Sequence, residues 1–326
     1  MKRRVSLKFP FSKRRCLIMG DKNEVRVIAS FLAKHPPLDV VSFPGNNGGL
    51  LSFEKTNDPL SFINSHQIDE IILGETADNN SVTRDILLRV KEQGVTVTPF
   101  PLLYESLTGR IPVDFISDRW WFLVSPNGVK DRGVYSLVKR IFDVTGATLG
   151  LLGLCLIFPV VALAIKLDSP GPIFFRQERV GKRGKTFAIR KLRTMSADAE
   201  KDEAIWSDHH DARVMRVGRW LRKSRLDEIP QCWNILKGEM SIIGPRPERI
   251  KVVEKLEKEL PFYRLRHMAK PGLAGWAMVN RGYMCSLEDA KFRLEHDLYY
   301  VKHLSLWFDA LIFLRASWHL VAMKGK

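Results

Sequence analysis

Two adjacent carboxylates, Asp227 and Glu228, stand in the stretch "SRLDEIPQCWNILKGEMSIIGPRPE", just after a strongly basic segment. An isolated acidic pair is typical of a helix start, where the helix dipole stabilises negative charge by about 0.3–1 kcal/mol. Pro230 agrees with this interpretation, because a missing N–H costs little in a first turn. The stretch therefore predicts an α-helix that begins near Asp227, and a helix start alone gives the pair no chemical role.

The surroundings of the pair favour chemistry. Residues 176–225 carry fifteen lysines and arginines against seven acidic residues, and Arg246 follows in the turn "GPRP". Arginine forks bind phosphate, and a helix N-terminus adds backbone donors for an anion. Adjacent carboxylates resist joint ionisation unless a cation lies between them, and Mg²⁺ is the cation that binds through one or two carboxylates plus substrate phosphates. One carboxylate could attack phosphorus while the other holds the metal, so the constellation predicts phosphoryl transfer.

Residues 144–165 form a stretch of 22 residues without a charge. Its length alone suits a transmembrane helix. Pro159 interrupts the stretch, and basic residues flank it on both sides, whereas a spanning helix is oriented by an asymmetry of positive charge. These features favour a re-entrant helix over residues 135–167, broken at Pro159, that returns to the face it entered. A spanning helix and a buried helix of a soluble core remain the alternatives.

The remaining elements predict an α/β chain of 326 residues in two domains. A basic arm, residues 1–15, precedes a Rossmann-like (CoA-binding-like) domain, residues 16–118, in which short apolar strands alternate with helices. That domain has one glycine where a dinucleotide fingerprint needs three, so a scaffolding or regulatory role is the expectation. A linker, residues 119–134, leads to a mixed α/β membrane-associated catalytic domain, residues 135–326, with an interfacial helix over residues 303–323.

Several long motifs then occur in a fixed order. They are "KRIFDVTGA", "SPGPIFFRQERVGKRGKTFAIRKLRTM", "LRKSRLDEIPQCWNILKGEMSIIGPRPE", "KPGLAGWAMVNRGY" and "HDLYYVKHLSLWFD". In these residues the chain resembles the monotopic phosphoglycosyl transferases, also called bacterial sugar transferases, over roughly residues 135–326. The resemblance implies transfer of a sugar 1-phosphate from a UDP-sugar to undecaprenyl (or another polyprenyl) phosphate, with release of UMP.

The resemblance also implies roles for individual residues. Asp227 would attack the β-phosphorus and form a covalent phosphosugar intermediate, and Glu228 would be its partner at Mg²⁺. The substrate phosphates would be bound by Lys191, Arg193, Arg222 and Arg246, with Asp297 as a further acidic residue near the site. Two positions depart from the family pattern, Met278 for a usual glutamine and Leu192 for a common phenylalanine, and the resemblance assigns no role to Arg225.

The expected location is the cytoplasmic face of a bacterial inner membrane, with membrane lipids as partners and a homodimer as a further expectation. The expected pathway is exopolysaccharide, O-antigen or lipopolysaccharide, or capsule assembly. The net charge of +16 calls for an anionic partner without identifying it. Two alternatives are a soluble nucleotide-sugar-modifying Rossmann enzyme and a basic nucleic-acid-binding protein. The missing GxGxxG disfavours the first alternative, and the uncharged stretch disfavours the second, so nucleic acid is not expected as a partner.

Overall fold

The structure of the chain divides into two compact units, residues 1–123 and residues 124–326. It is a computed structural model, and it describes residues 14–34, 38–40, 59–79, 81–117, 132–196, 213–280 and 286–321. Most of the predicted basic arm and nearly all of the predicted linker lie outside these ranges.

The first unit contains a four-stranded parallel sheet in the order β2-β1-β3-β4. Its strands are β1 (Arg14–Met19), β2 (Leu38–Val40), β3 (Glu70–Leu73) and β4 (Thr96–Pro99). Its helices are α1 (Lys22–Ala33), α2 (Pro59–Ser65), α3 (Ser81–Glu92) and α4 (Phe100–Thr108), with short 3₁₀ turns at Glu75–Asn79 and Val113–Phe115.

Both faces of the sheet of the first unit are buried, and side chains that alternate along each strand pack on opposite faces. Cys16 and Ile18 of β1 pack with α1 and α4, whereas Leu17 and Met19 pack in a second cluster on the opposite face. The predicted α/β class is therefore confirmed. One boundary differs, since β1 already begins at Arg14, inside the predicted basic arm, where it pairs with β2.

The second unit surrounds the predicted catalytic residues with one long helix, short helices and two small two-stranded sheets. Its helices are α5 (Arg132–Asp168), α6 (Arg216–Ser224), α7 (Cys232–Lys237), α8 (Ile250–Glu259), α9 (Trp276–Asn280), α10 (Leu287–Lys302) and α11 (Leu306–Val321). The antiparallel hairpin is β5 (Phe174–Val180) with β6 (Thr186–Leu192), and the parallel pair is β7 (Ser241–Ile243) with β8 (Gly272–Ala274).

Helix α5 packs one face on the second unit along much of its length. Ala147, Leu154, Val161 and Ile165 are buried, and their spacing of seven, seven and four residues places them on one side of a helix. Other apolar side chains stay open, with Leu156 84% exposed. Only 22% of the most apolar window of this helix is buried. This exposure disfavours the alternative of a buried soluble-core helix.

Pro159 lies within α5, and the helix continues through it without an end. The predicted break is thus not seen as a helix terminus. Proline removes one backbone donor, and the residues on both sides of it remain helical. The helix is long and apolar enough to cross a membrane. Whether it enters and returns or spans stays a prediction.

The predicted C-terminal helix is confirmed, although it begins at Leu306, three residues later than expected. The Ser305 hydroxyl accepts a hydrogen bond from the Phe308 amide at 3.2 Å, which caps the helix at this point. Phe308 and Ile312 are buried, while Trp307 on the other side is 81% exposed. This arrangement fits a helix with one face on the protein and one face at a membrane interface.

Candidate active site

The carboxylate pair lies on a 3₁₀ turn, Leu226–Gln231, which we call the carboxylate turn. A helix does begin near Asp227 as predicted, but it begins as a 3₁₀ turn, and α-helical geometry starts only at Cys232. Arg225 enters the turn in the left-handed conformation, with φ of 58°, and ends α6. Such a residue reverses the chain sharply, and the tight turn after it packs both carboxylates into the protein.

Three cations surround the carboxylate of Glu228. Lys191 Nζ donates to Glu228 Oε1 at 2.9 Å, and Arg246 Nη2 donates to the same oxygen at 3.0 Å. The Arg225 guanidinium lies 3.7 Å from Glu228 Oε2. Burial alone would raise the pKa of Glu228, but Lys191, Arg246 and Arg225 outweigh burial and hold this pKa well below its usual range.

Asp227 is in the opposite situation. It is buried, and among the described residues its Oδ1 has no hydrogen-bond partner. Burial, followed by the negative charge of Glu228, raises the pKa of Asp227 to about 6, against the opposing effect of Lys191 and Arg225. Neighbouring groups whose environments push their pKa values apart are characteristic of functional sites, and this pair combines a permanently ionised carboxylate with a poorly compensated one.

A polar recess opens beside the carboxylate turn, and its charged lining is Arg179, Lys191, Arg246 and Glu228. Gln231 also lines it, together with the apolar or backbone surface of Ile189, Pro247, Gly272 and Leu273. Asp227 itself is not part of this lining. Three cations against one carboxylate make the recess suitable for an anion that carries at least two negative charges.

Two backbone hydrogen bonds hold the "GPRP" turn beside the recess. The Gly244 amide donates to Ala274 O at 2.8 Å, and the Gly272 amide donates to Pro245 O at 2.9 Å. A Cβ atom on Gly272 would come within 2.1 Å of the Gly244 nitrogen, so only glycine permits this approach.

Behind the turn, a buried ion pair supports Arg246. Arg266 donates to Asp297 Oδ2 through Nε at 3.0 Å and Nη2 at 2.7 Å, and Nη2 also reaches Arg246 O at 2.9 Å. Asp297, expected as a further acidic residue near the site, is fully buried, and it reaches the recess only through Arg266 and the Arg246 carbonyl. A role of Asp297 in binding substrate stays a prediction.

Two other predicted phosphate ligands also bind protein groups. Arg193 is buried, and its guanidinium donates to the carbonyls of Ser169 and Pro170, so it ties the loop that follows α5 rather than lining the recess. Arg222 Nε donates to Thr194 Oγ1 at 2.9 Å, although its charge still lowers the pKa of Asp227. Lys191 and Arg246 are the predicted phosphate ligands that do line the recess.

The sequence interpretation missed Arg179, Gln231 and Arg225. A signal for Arg179 was present, because residues that pair directly across the β5–β6 hairpin share a face. Gln177 pairs with Ile189, and Arg179 and Lys191 each lie two residues further along their own strands. Arg179 therefore lies on the same face of the hairpin as Lys191. The signal for Gln231 appears only once the 3₁₀ turn is known, since side chains three residues apart eclipse there.

The second unit combines a membrane-associated apolar helix with paired carboxylates against a cationic recess, which is the architecture of an enzyme acting on an anionic substrate at a membrane. The sequence profile of the bacterial sugar transferase family matches residues 134–323. This match covers more than half of the chain, and the chain therefore belongs to that family.

Individual relatives agree with the family. The chain is 41% identical over 208 residues, 64% of its length and 48% of the relative, to a UDP-N-acetylgalactosamine-undecaprenyl-phosphate N-acetylgalactosaminephosphotransferase of Aeromonas hydrophila. It is 28% identical over 333 residues, 95% of its length and 67% of the relative, to a UDP-glucose:undecaprenyl-phosphate glucose-1-phosphate transferase of Xanthomonas campestris pv. campestris. A transferase of the latter name from Caulobacter vibrioides is 39% identical over 63% of this chain and 77% of the relative. The chain thus spans about half the length of the Aeromonas enzyme.

The opposite environments of the two carboxylates predict opposite effects on stability. The pKa of Asp227 is raised from 3.8 to about 6, so its contribution to stability is present below pH 3.8 and is lost as the pH rises through 6. Asp227→Asn should therefore raise Tm above pH 6, and this gain should disappear near pH 4. Glu228→Gln should lower Tm at neutral pH, because it leaves three cations around a neutral amide.

Differential scanning calorimetry of both variants in detergent, from pH 4 to pH 8, measures these shifts. A lower Tm for Asp227→Asn at pH 8, or an unchanged Tm for Glu228→Gln, would contradict the charge distribution described here.

Proposed function

We propose that this protein transfers a sugar 1-phosphate from a UDP-sugar to undecaprenyl phosphate (or another polyprenyl phosphate) and releases UMP. The observation that carries the proposal is that two adjacent carboxylates beside a cationic recess have opposite electrostatic environments. Glu228 is saturated by cations, whereas Asp227 keeps an oxygen without a partner among the described residues. The activities of the relatives, whose names include UDP-sugars and undecaprenyl phosphate, support the same reaction.

In the proposed mechanism the recess binds the diphosphate of the UDP-sugar through Lys191, Arg246 and Arg179. An oxygen of Asp227 attacks the β-phosphorus, forms a P–O bond and breaks the bond from this phosphorus to the bridging oxygen, which leaves with its electron pair on UMP. A phosphate oxygen of the polyprenyl phosphate then attacks the same phosphorus. Asp227 leaves as a carboxylate, and the product is a polyprenyl diphosphate sugar.

In this mechanism the cations of the site stabilise negative charge and do not transfer protons. Negative charge moves to the bridging oxygen in the first step, and Lys191 and Arg246 stabilise it because they are held in place before the substrate binds. Asp227 must be ionised to attack, and its raised pKa of about 6 leaves it ionised at neutral pH while keeping the carboxylate more reactive than an ion-paired one.

We propose Mg²⁺ as the cofactor, held by Asp227 and Glu228. The residues fit this ion, because Asp227 Oδ1 is a buried oxygen without a hydrogen-bond partner among the described residues, and carboxylate oxygens are the ligands that Mg²⁺ prefers. When bound, Mg²⁺ would neutralise charge on the diphosphate. The described part of the chain contains no group of three or more His, Cys, Asp or Glu residues suited to a metal, so substrate phosphates would complete the coordination.

The membrane helix is proposed to be re-entrant and to lie at the cytoplasmic face of a bacterial inner membrane. Contacts of Ala147, Leu154 and Ile165 with the rest of the second unit support a helix that stays with its unit, while its open apolar side faces lipid. A re-entrant helix would bring the site near a lipid-borne phosphate. The relative from Rhizobium leguminosarum bv. phaseoli, an exopolysaccharide production protein, supports a role in exopolysaccharide or related glycan assembly.

We further propose that the first unit is a Rossmann-like scaffold rather than a nucleotide site. The place where such a sheet binds an anion lies at the carboxyl ends of β1 and β3. The carboxylate of Glu24 accepts hydrogen bonds there from the amides of Glu75 at 3.1 Å and Thr76 at 3.3 Å. A Cβ atom on Gly74 would come within 2.3 Å of this carboxylate, so little space remains for a phosphate.

The two alternative functions receive no support from the second unit. A soluble nucleotide-sugar enzyme does not account for the exposed apolar face of α5, and a nucleic-acid-binding protein does not account for the buried carboxylates. A homodimer stays a prediction.

Release of UMP from UDP-sugars in the presence of undecaprenyl phosphate and detergent tests the reaction. We expect release from at least one of UDP-glucose, UDP-galactose and their N-acetylated counterparts. Asp227→Asn should abolish release, whereas Asp85→Asn, the same change at an exposed residue of the first unit, should leave the rate unchanged. Normal turnover by Asp227→Asn would exclude Asp227 as the nucleophile.

Removal of divalent cations tests the metal proposal. EDTA should stop UMP release and added Mg²⁺ should restore it. Mg²⁺ should also increase the affinity of the wild-type protein for UDP in a titration, and it should do so much less in Asp227→Asn. An enzyme that works at full rate in excess EDTA would eliminate the metal role of Asp227 and Glu228.

A further inference from the structure

Gln231 places a side-chain amide in the lining of the recess. It is the last residue of the carboxylate turn, it is only 3% exposed, and it lines the recess. Among the described residues its side chain makes no hydrogen bond. Asn234, one turn further on, differs, because its amide nitrogen donates to Ala188 O at 2.8 Å and to Glu239 Oε2 at 2.7 Å, while its Oδ1 is buried without a partner among the described residues.

The Gln231 amide is not among the fully buried, unpartnered polar groups of the described residues, so it is open to the recess. A ligand in the recess can supply the hydrogen bond that the described residues do not. Gln231 stands three residues after Glu228, and side chains with this spacing eclipse on a 3₁₀ turn. The amide therefore lies on the same side as Glu228, in the recess that Lys191 and Arg246 line.

We infer that Gln231 binds the substrate and donates its amide N–H to a phosphoryl oxygen of the diphosphate in the recess. This inference rests on the proposed function and extends it to a residue to which no role has been assigned. Apart from Gln231, the polar side chains that line the recess are three cations and Glu228, whose Oε1 already accepts from Lys191 and Arg246. A ligand rich in acceptor oxygens, such as a diphosphate, matches this set of donors.

A neutral donor adds something that a fourth cation would not. The amide stabilises a phosphoryl oxygen at a defined position without repelling the three cations around it or competing for Glu228. A carboxylate at this position would face the bound phosphates and repel them. The identity of the side chain therefore matters more than its volume, and variants can separate the two.

Three variants test the inference: Gln231→Leu, Gln231→Glu, and Gln93→Leu as a matched change at an exposed glutamine of the first unit. Their affinity for UDP, which contains the diphosphate and no sugar, is measured by isothermal titration calorimetry of the full chain in detergent. Steady-state kcat/KM for the active UDP-sugar and Tm are measured in parallel.

Gln231→Leu should weaken UDP binding and lower kcat/KM by about 10- to 100-fold, as expected for the loss of a hydrogen bond to a charged group. Its Tm should stay close to the wild-type value, because the Gln231 side chain makes no hydrogen bond to the described residues. Gln231→Glu should lose more affinity than Gln231→Leu, and Gln93→Leu should match the wild type in every measurement.

Normal UDP affinity in Gln231→Leu would overturn the inference, and so would a wild-type protein that does not bind UDP. If UDP binding were normal but kcat/KM for the UDP-sugar fell, the amide would contact the sugar and the phosphoryl assignment would be wrong. A fall in Tm with unchanged UDP affinity would mean a purely structural role. A wild-type protein that binds UDP but releases no UMP would contradict the proposed function, while the UDP titration would still decide the role of Gln231.

Discussion

The burial of two adjacent carboxylates in one tight turn is the constraint on which the second unit depends. Both groups cannot be ionised in a poorly solvated site without compensation. The protein places its compensating charges unevenly. Lys191 and Arg246 share one oxygen of Glu228, and Arg225 approaches the other, so Glu228 is held ionised while Asp227 is left with a raised pKa and an oxygen without a partner among the described residues. This asymmetry gives neighbouring carboxylates pKa values that are shifted in opposite directions.

Each compensating cation is delivered by a different element of the second unit. Lys191 comes from the hairpin strand β6, Arg246 from the turn after β7, and Arg225 from the left-handed residue that ends α6. The buried ion pair of Arg266 with Asp297 supports the loop that carries Arg246, because Arg266 also donates to the Arg246 carbonyl. Removing one partner of a buried pair of this kind typically costs about 3–5 kcal/mol, so the position of Arg246 depends on Arg266 and Asp297.

Local sequence signals were sufficient for much of this arrangement. Short apolar strands that alternate with helices predicted the parallel sheet of the first unit, and the uncharged stretch predicted the long helix, because each signal depends mainly on nearby residues. The outcome for Arg193 depends on tertiary contacts, since it follows the last residue of β6 and turns to the carbonyls of Ser169 and Pro170. The 3₁₀ form of the carboxylate turn could not be predicted either, because a helix start and a 3₁₀ turn share the same acidic and proline signals.

Because cations compensate the negative charge of Glu228 and leave Asp227 poorly compensated, we propose that Asp227 becomes covalently attached to the sugar phosphate. The most direct measurement is peptide mass spectrometry of protein incubated with a UDP-sugar and without polyprenyl phosphate, then quenched in mild acid and digested. The account predicts the mass of one sugar phosphate on the peptide that contains Asp227, and loss of this mass when undecaprenyl phosphate is added before quenching. Release of UMP without an adduct, or an adduct on another residue, would contradict it.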